Sequence, residues 1–380
     1  MAGDVVPGRG HLAVPRRPAA TAGAGGRHAA SRDRGSVTFS WPDILTGLVR
    51  REGLESEAAE WALNEIFAGR ASEVQLAALL VALRAKGETE DEIAGLSNAM
   101  LGNALPITLA HEAVDVVGTG GDRANTVNIS TMAAIVASAA GAKVIKHGSR
   151  AASSMAGTAD TLEALGVNIS LDPSRQASIL GEAGIVFLFA QMYHPAMKYV
   201  GGVRKQLAIQ TTFNFLGPLS NPAQPRAMAL GVANDEIAPV IARVLAGRGV
   251  RGMVFRGFDG LDELTTTSSS DVWIVSDSRV HRTTLDPRDL GLEPAAPADL
   301  TGGDAAHNAT VVRDLVNGRT GPIRDIVVLN AAAALLAYRG VSVVVPLAEQ
   351  MQETKIDVEA ALDSGAALRT LDLWVELTNR

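Results

Sequence analysis

Two stretches of this 380-residue chain combine glycines, hydroxyls and cations in a pattern suited to holding phosphate. They read VVGTGGDRANTVNIST from Val116 and IKHGSRAASSMAGTAD from Ile145. Each stands where an apolar run gives way to a helix-forming run. At such junctions the first helical N–H groups lack backbone partners and the helix dipole is positive, so anions bind there. In the first loop Gly118, Gly120 and Gly121 let backbone amides approach an anion, and Asn128, Ser130 and Thr131 can donate to phosphate oxygens. In the second, Lys146 and Arg150 stand among His147, Ser149, Ser153, Ser154 and Thr158, a set suited to a pyrophosphate and a sugar. The plainer alternatives are a capped tight turn and solvated surface cations. No Gly-Lys-Ser/Thr follows the first loop, and Arg123 and Ala124 stand where a third dinucleotide-binding glycine would be sought.

Other candidates lie further along. Asp262 and Glu263 are adjacent on a turn introduced by Gly257 and Gly260, and suit Mg²⁺, which takes few protein ligands and bridges phosphates. On spacing alone an exposed acidic turn is the simpler reading. Residues 265–270 are six hydroxyls in a row with no assigned purpose. His147 and His194 are candidates for proton transfer, or else structural histidines. Arg204, after His194-Pro195, offers a fork for a carboxylate, or else a surface charge. The chain has no cysteine, which excludes disulfides and thiolate chemistry. It also lacks a G-x-S-x-G elbow and glycosidase-type paired carboxylates.

The elements that must position these residues fall into three parts. Residues 1–38, rich in Gly, Ala, Pro and Arg, read as a disordered tail. Residues 39–104 read as a small helical domain, joined by part of 190–215. Ser40 caps its first helix, Ser56 precedes its second, and Ser72/Gln75 and Thr89/Glu92 have capping-box spacing. Residues 105–380 read as a larger α/β domain with a mostly parallel sheet. Strands are expected at 114–117, 143–145, 185–189, 253–255 and 272–275, and helices at 130–140, 160–165, 196–206, 237–246 and 323–337. Residues 285–304 read as a long connection. Ligands of such sheets bind at the carboxyl ends of the strands, where both glycine loops fall. Net charge of −7 argues against nucleic-acid binding, and no apolar run is long enough for a membrane span.

With those residues in place, the chain after the tail resembles the anthranilate phosphoribosyltransferase family. The resemblance rests on VGTGGD, NIST, KHGSRAASS, GTADTLEALG, YHPAMKYVGGVRKQL, FNFLGPLSNPA and GLDELTTT, in that order. It implies a helical domain joined to an α/β domain, a cytoplasmic homodimer formed through the helical domain, and transfer of phosphoribosyl from phosphoribosyl pyrophosphate to anthranilate in tryptophan biosynthesis. It implies that Gly118, Gly121, Asp122, Thr126, Asn128, Ile129, Ser130 and Thr131 contact phosphoribosyl pyrophosphate. Lys146, His147, Gly148, Ser149, Arg150, Ala151, Ala152, Ser153, Ser154 and Thr158 do so from the second loop. Ser130 with Glu263, and Asp262 with Glu263, would hold two Mg²⁺ per subunit. Gly118, Ser149 and Arg204 would meet anthranilate. Lys146 would assist departure of pyrophosphate, and His147 or water would take the amine proton. The chain departs from the family pattern at Ser149, where asparagine is usual, and at Gln191, Ala208 and Phe258. Ser149 stands on the acceptor side, so a related enzyme using another aromatic amine is one alternative. A nucleoside phosphorylase of the same fold, or a non-enzymatic nucleotide- or nucleic-acid-binding relative, are the others.

Overall fold

The computed structural model describes residues 38–151 and 155–380. Residues 1–37 of the expected tail, and the candidate ligands Ala152, Ser153 and Ser154, lie outside that range.

The chain opens with four helices: α1 (Trp41–Val49), α2 (Ser56–Phe67), α3 (Glu73–Lys86) and α4 (Glu90–Gly102). Their starts follow the local chemistry. Ser40 accepts from Asp43 N–H, and both capping boxes form at Ser72/Gln75 and Thr89/Glu92, satisfying N–H groups that the helix leaves unpaired. At α2 the reading shifts by one residue: Ser56 is the first helical residue and Glu55 precedes it without a capping bond.

Seven strands follow: β1 (Val114–Gly118), β2 (Val144–Gly148), β3 (Ile185–Phe189), β4 (Ala227–Gly231), β5 (Arg251–Gly257), β6 (Ser270–Ser276) and β7 (Arg279–Leu285). They form one sheet in the order β3-β2-β1-β4-β5-β6-β7, parallel from β3 to β5 and antiparallel from β5 to β7. The helices of this part are α5 (Ile129–Ala139), α6 (Thr158–Ala164), α7 (Gln176–Ala183), α8 (Ala190–Tyr193), α9 (Lys198–Leu207), α10 (Phe213–Leu216), α11 (Ala238–Gly247), α12 (Ala305–Val316), α13 (Pro322–Arg339), α14 (Leu347–Asp363) and α15 (Ala366–Asn379).

Side-chain alternation splits the apolar residues between the two faces of the sheet. Val116, Ala229, Phe255 and Ile274 join one cluster with α5, α13, α14 and α15. Leu230, Val254, Trp273 and Val275 join the other, with α11 and the four-helix bundle. Val200 and Val203 of α9 and Phe213, Phe215 and Leu216 of α10 belong to that second cluster, so the segment between β3 and β4 packs with the bundle. The expected long connection also acquires a role. It pairs with the first glycine loop through a Thr126–Thr301 bridge, Val127 N–H to Leu300 C=O (2.9 Å) and Gly302 N–H to Asn125 C=O (2.8 Å).

Candidate active site

Strands β1 and β4 are neighbours, yet β2 and β3 lie beyond one and β5 beyond the other, so the strand order reverses between them. In open α/β sheets a crevice opens at such a point, outside the carboxyl ends. Gly118 and Gly231 pair there, side by side. The turn after β5 lies directly over them. A Cβ on Gly118 would stand 2.2 Å from Asp262 Oδ2, and one on Gly231 would stand 1.6 Å from the Asp262 carbonyl oxygen. Both glycines are therefore required by close approach. Gly120 N–H donates to Asp262 Oδ2 at 2.6 Å, and Glu263 accepts from the Ser130 backbone at the start of α5. The acidic turn, the first glycine loop and a helix N-terminus thus meet at one place.

A cavity of about 320 Å³ opens there, walled by both glycine loops and the acidic pair. A second cavity of about 270 Å³ shares Thr119, Gly120, Gly121, Asp122 and Asn214 with it and extends to Arg84 and Gln210.

The electrostatics show what the cavity suits. Burial, then Asp122, pushes Asp262 up to about 7. Burial, then Asp262, raises Glu263 well above the usual carboxylate range, with Lys146 only partly opposing. Two buried carboxylates with so little compensation favour either a proton or a cation. Among the described residues no group of three or more His, Asp or Glu could hold a metal unaided. Mg²⁺ keeps few protein ligands and completes its shell with phosphate oxygens and water, so two carboxylates and the Ser130 hydroxyl fit it.

Lys146 is buried beneath this wall. It donates to Val116 C=O and to Ser130 Oγ (3.2 Å), and burial lowers its pKa against the pull of Asp115 and Glu263. Asp115 was not singled out by sequence, although an acid inside an apolar strand was the available signal. It accepts from Asn221 Nδ2 (2.8 Å) and His147 N–H (3.3 Å), and burial lifts it to about 6 while Lys146 opposes.

The cavity wall brings together Gly118, Gly121, Asp122, Thr126, Asn128, Ile129, Ser130, Ser149, Arg150, Ala151, Thr158, Asp262 and Glu263. Several of these are also tied to neighbours. Asn128 Oδ1 accepts from Thr161 Oγ1 (2.6 Å) and Asn308 Nδ2 (2.9 Å), joining the first loop to α6 and α12. Arg150 pairs with Asp160 (2.9 Å) and Glu163 (2.5 Å) of α6. Thr131 is buried behind the wall and donates to Thr158 Oγ1 (3.2 Å). Gly148 closes β2. His147, on the opposite side of its strand from Lys146, is off the wall: its ring meets His194 edge-on at 5.2 Å, and its Nε2 has no partner among the described residues. Burial, then His194, lowers His147 to about 3, and burial lowers His194 to about 4, so both are neutral. Arg204 lies on α9, off both cavity walls. It is half-buried over the Phe213 ring (5.5 Å), with no carboxylate partner among the described residues. Sequence reasoning missed Gly231 and Asn214, the first because β4 itself was not read.

Comparison with known proteins agrees with this fold. Residues 42–104 match the glycosyl transferase family helical bundle domain, and residues 110–368 match the glycosyl transferase family a/b domain. The chain is 52% identical over 339 residues to the anthranilate phosphoribosyltransferase of Arthrobacter sp. (strain FB24), covering 89% of this chain and 96% of that protein. The chain belongs to the anthranilate phosphoribosyltransferase family. It is thus a glycosyltransferase-type enzyme with a small helical part and a seven-stranded, mostly parallel sheet. The crystal structure of the Thermus thermophilus enzyme superposes with a TM-score of 0.82 at 39% identity, covering 89% of this chain and all of that one. The Saccharomyces cerevisiae enzyme, solved in complex with PRPP and Mg, superposes with a TM-score of 0.80 at 28% identity, covering 89% and 98%. The yeast protein has also been solved with 4-fluoroanthranilate.

Proposed function

We propose that the cavity transfers the phosphoribosyl group of phosphoribosyl pyrophosphate to the amine of anthranilate, giving N-(5-phosphoribosyl)anthranilate and pyrophosphate. The observation that carries this reading is the buried pair Asp262–Glu263, facing the α5 N-terminus across the glycine loop. Such a site suits a divalent cation and presents backbone N–H groups to phosphate.

The amine of anthranilate is neutral near pH 7 and needs no strong base. The barrier lies in departure of pyrophosphate while positive charge grows on the ribose. Bound Mg²⁺, two per subunit, supplies charge to the pyrophosphate oxygens, with Ser130 and Glu263 holding one ion and Asp262 and Glu263 the other. The chain's own contribution is positional and electrostatic. Backbone N–H groups of the first glycine loop and the α5 N-terminus meet phosphate, assisted by Thr126 and Asn128, with Asp122 on the same wall and Thr131 supporting Thr158 from behind it. Residues 146–154 and Thr158 take the phosphoribosyl end. Lys146 acts from beneath as a buried positive charge. Gly118 lets the substrates approach and Ser149 meets the acceptor. Arg204, a half-buried cation with no carboxylate partner among the described residues, takes the acceptor's carboxylate. The amine proton passes to water, because the His147 ring is buried against His194 and lies off the cavity wall. Holding the amine behind the reacting carbon supplies much of the rest of the acceleration.

We assign residues 39–104, with part of 190–215, to a helical domain and 105–380 to the α/β domain; the packing of α9 on α2 and α3, and of α10 on α4, supports the joint assignment. We further propose a homodimer through the helical domain. Val49 and Val74, each 78% exposed on the mutually packed α1 and α3, support it. A cytoplasmic location is part of the same reading, and the cysteine-free composition supports it. No helix among the described residues is long and apolar enough to cross a membrane.

The direct test is pyrophosphate release in reactions lacking one component at a time. Release should require anthranilate, phosphoribosyl pyrophosphate and Mg²⁺ together. Silence with anthranilate but turnover with another aromatic amine would overturn the acceptor and shift attention to Ser149.

A further inference from the structure

The turn carrying Asp262 and Glu263 is gripped from two sides. On one side Asn330, buried in α13, takes hold of Leu264, the residue directly after Glu263. Its Oδ1 accepts Leu264 N–H at 3.0 Å, and its Nδ2 donates to Leu264 C=O at 2.8 Å and to Ile326 C=O at 2.9 Å. An amide that pairs with both backbone groups of one residue fixes that residue's position and orientation together. On the other side Asp259 accepts from Leu261 N–H (3.1 Å), from Thr265 Oγ1 (2.7 Å) and from Thr267 Oγ1. Thr265 Oγ1 also accepts from Thr267 N–H (3.0 Å), and Ser270 Oγ accepts from Thr265 N–H (3.2 Å). Gly257 leaves the room required, since a Cβ there would lie 2.2 Å from Asp259 Oδ1.

The need for such a grip is electrostatic. A turn with two neighbouring carboxylates would lower its energy by opening toward water, which relieves both desolvation and mutual repulsion. The devices that oppose opening bring no cation. Hydroxyls and a carboxamide supply donors without adding a positive charge that would compete with a metal for the acids. This gives Thr265, Thr267 and Ser270 of the hydroxyl run a purpose.

We propose that Asn330, together with Asp259 and the hydroxyls of Thr265 and Thr267, is a positioning device that holds Asp262 and Glu263 aimed into the cavity before any ligand arrives. The proposal rests on the assignment of those two acids as metal ligands. The test reads metal binding directly, by titrating Mn²⁺ into the full chain in the presence of pyrophosphate and following free Mn²⁺ by electron paramagnetic resonance. Asn330→Leu, which keeps the size and removes all three bonds, should raise the Mn²⁺ Kd about tenfold or more. Thr267→Val, at a partly exposed site that tolerates the change, should raise it about threefold, and Thr267→Ser should restore it. Leu335→Ala lowers stability on the same helix without touching the turn, and should leave Mn²⁺ affinity and the anthranilate KM unchanged. A Kd within about twofold of wild type in folded Asn330→Leu, or in Thr267→Val if the former does not fold, overturns the positioning role. If Asp262→Ala with Glu263→Ala also binds Mn²⁺ as wild type does, the metal assignment itself fails instead.

Discussion

At the scale of single residues, function and stability pull in opposite directions at the acidic pair. Burying Asp262 and Glu263 together costs folding energy that only a proton or a cation relieves. Asp262→Asn should therefore raise the melting temperature of the metal-free protein while abolishing turnover; a drop in melting temperature would mean that the carboxylates stabilise the fold. Asp262→Ala with Glu263→Ala should likewise lose pyrophosphate release with an intact circular dichroism spectrum. Gly231 tests the close approach of the turn. Alanine there collides with backbone, so Gly231→Ala should cost about 1–3 kcal/mol in urea unfolding and displace the turn from its partners. Arg204→Ala should raise the anthranilate KM about 10- to 100-fold with a smaller change in kcat, because a charged hydrogen-bonding partner is lost. An unchanged KM would make Arg204 a surface charge.

At the scale of elements, the end of β2 and the start of the α8–α9 segment bring His147 and His194 together in a buried pocket. Both rings titrate below their ordinary value because burial penalises the charged form. A group depressed on folding gives stability that is present above its unfolded pKa, near 6.5, and is lost as pH falls through the folded values of about 3 and 4. Asp115, lifted to about 6, works oppositely: its contribution is present below about 4 and lost as pH rises through 6. His194→Gln isolates one histidine. It should make the acid limb of stability shallower by about 1.4 kcal/mol per pH unit between about pH 6 and 4.5, as measured by urea unfolding. An unaltered limb would mean that His194 titrates normally in the folded state.

At the scale of the whole molecule, the exposed valines of α1 and α3 bear on assembly. Val74→Arg should convert a dimer to a monomer in sedimentation velocity while leaving the fold intact, since a charge on an apolar contact is desolvated without a partner. A variant that stays dimeric would place the contact elsewhere.

What the sequence determined is local. Ser72, Gln75, Thr89 and Glu92 announce their helices because a capping box is formed within four residues. The two glycine loops were legible because an anion site at a helix N-terminus is assembled from consecutive backbone amides. Short β-branched and apolar runs gave β1, β2, β3, β5 and β6, whereas β4, AMALG, lacks that composition and sits at the sheet's centre unseen, and β7, RVHRTTL, is a mostly exposed edge. What only the tertiary structure decided is which distant groups meet. Nothing in the spacing between Gly118, Gly231 and Asp262 says that the third lies over the first two, or that Asn330 reaches the turn at Leu264. The depressed histidines, the lifted acids and the buried Lys146 are also products of packing. Desolvation and Coulomb energy depend on burial and distance in space, and the order of residues along the chain carries neither.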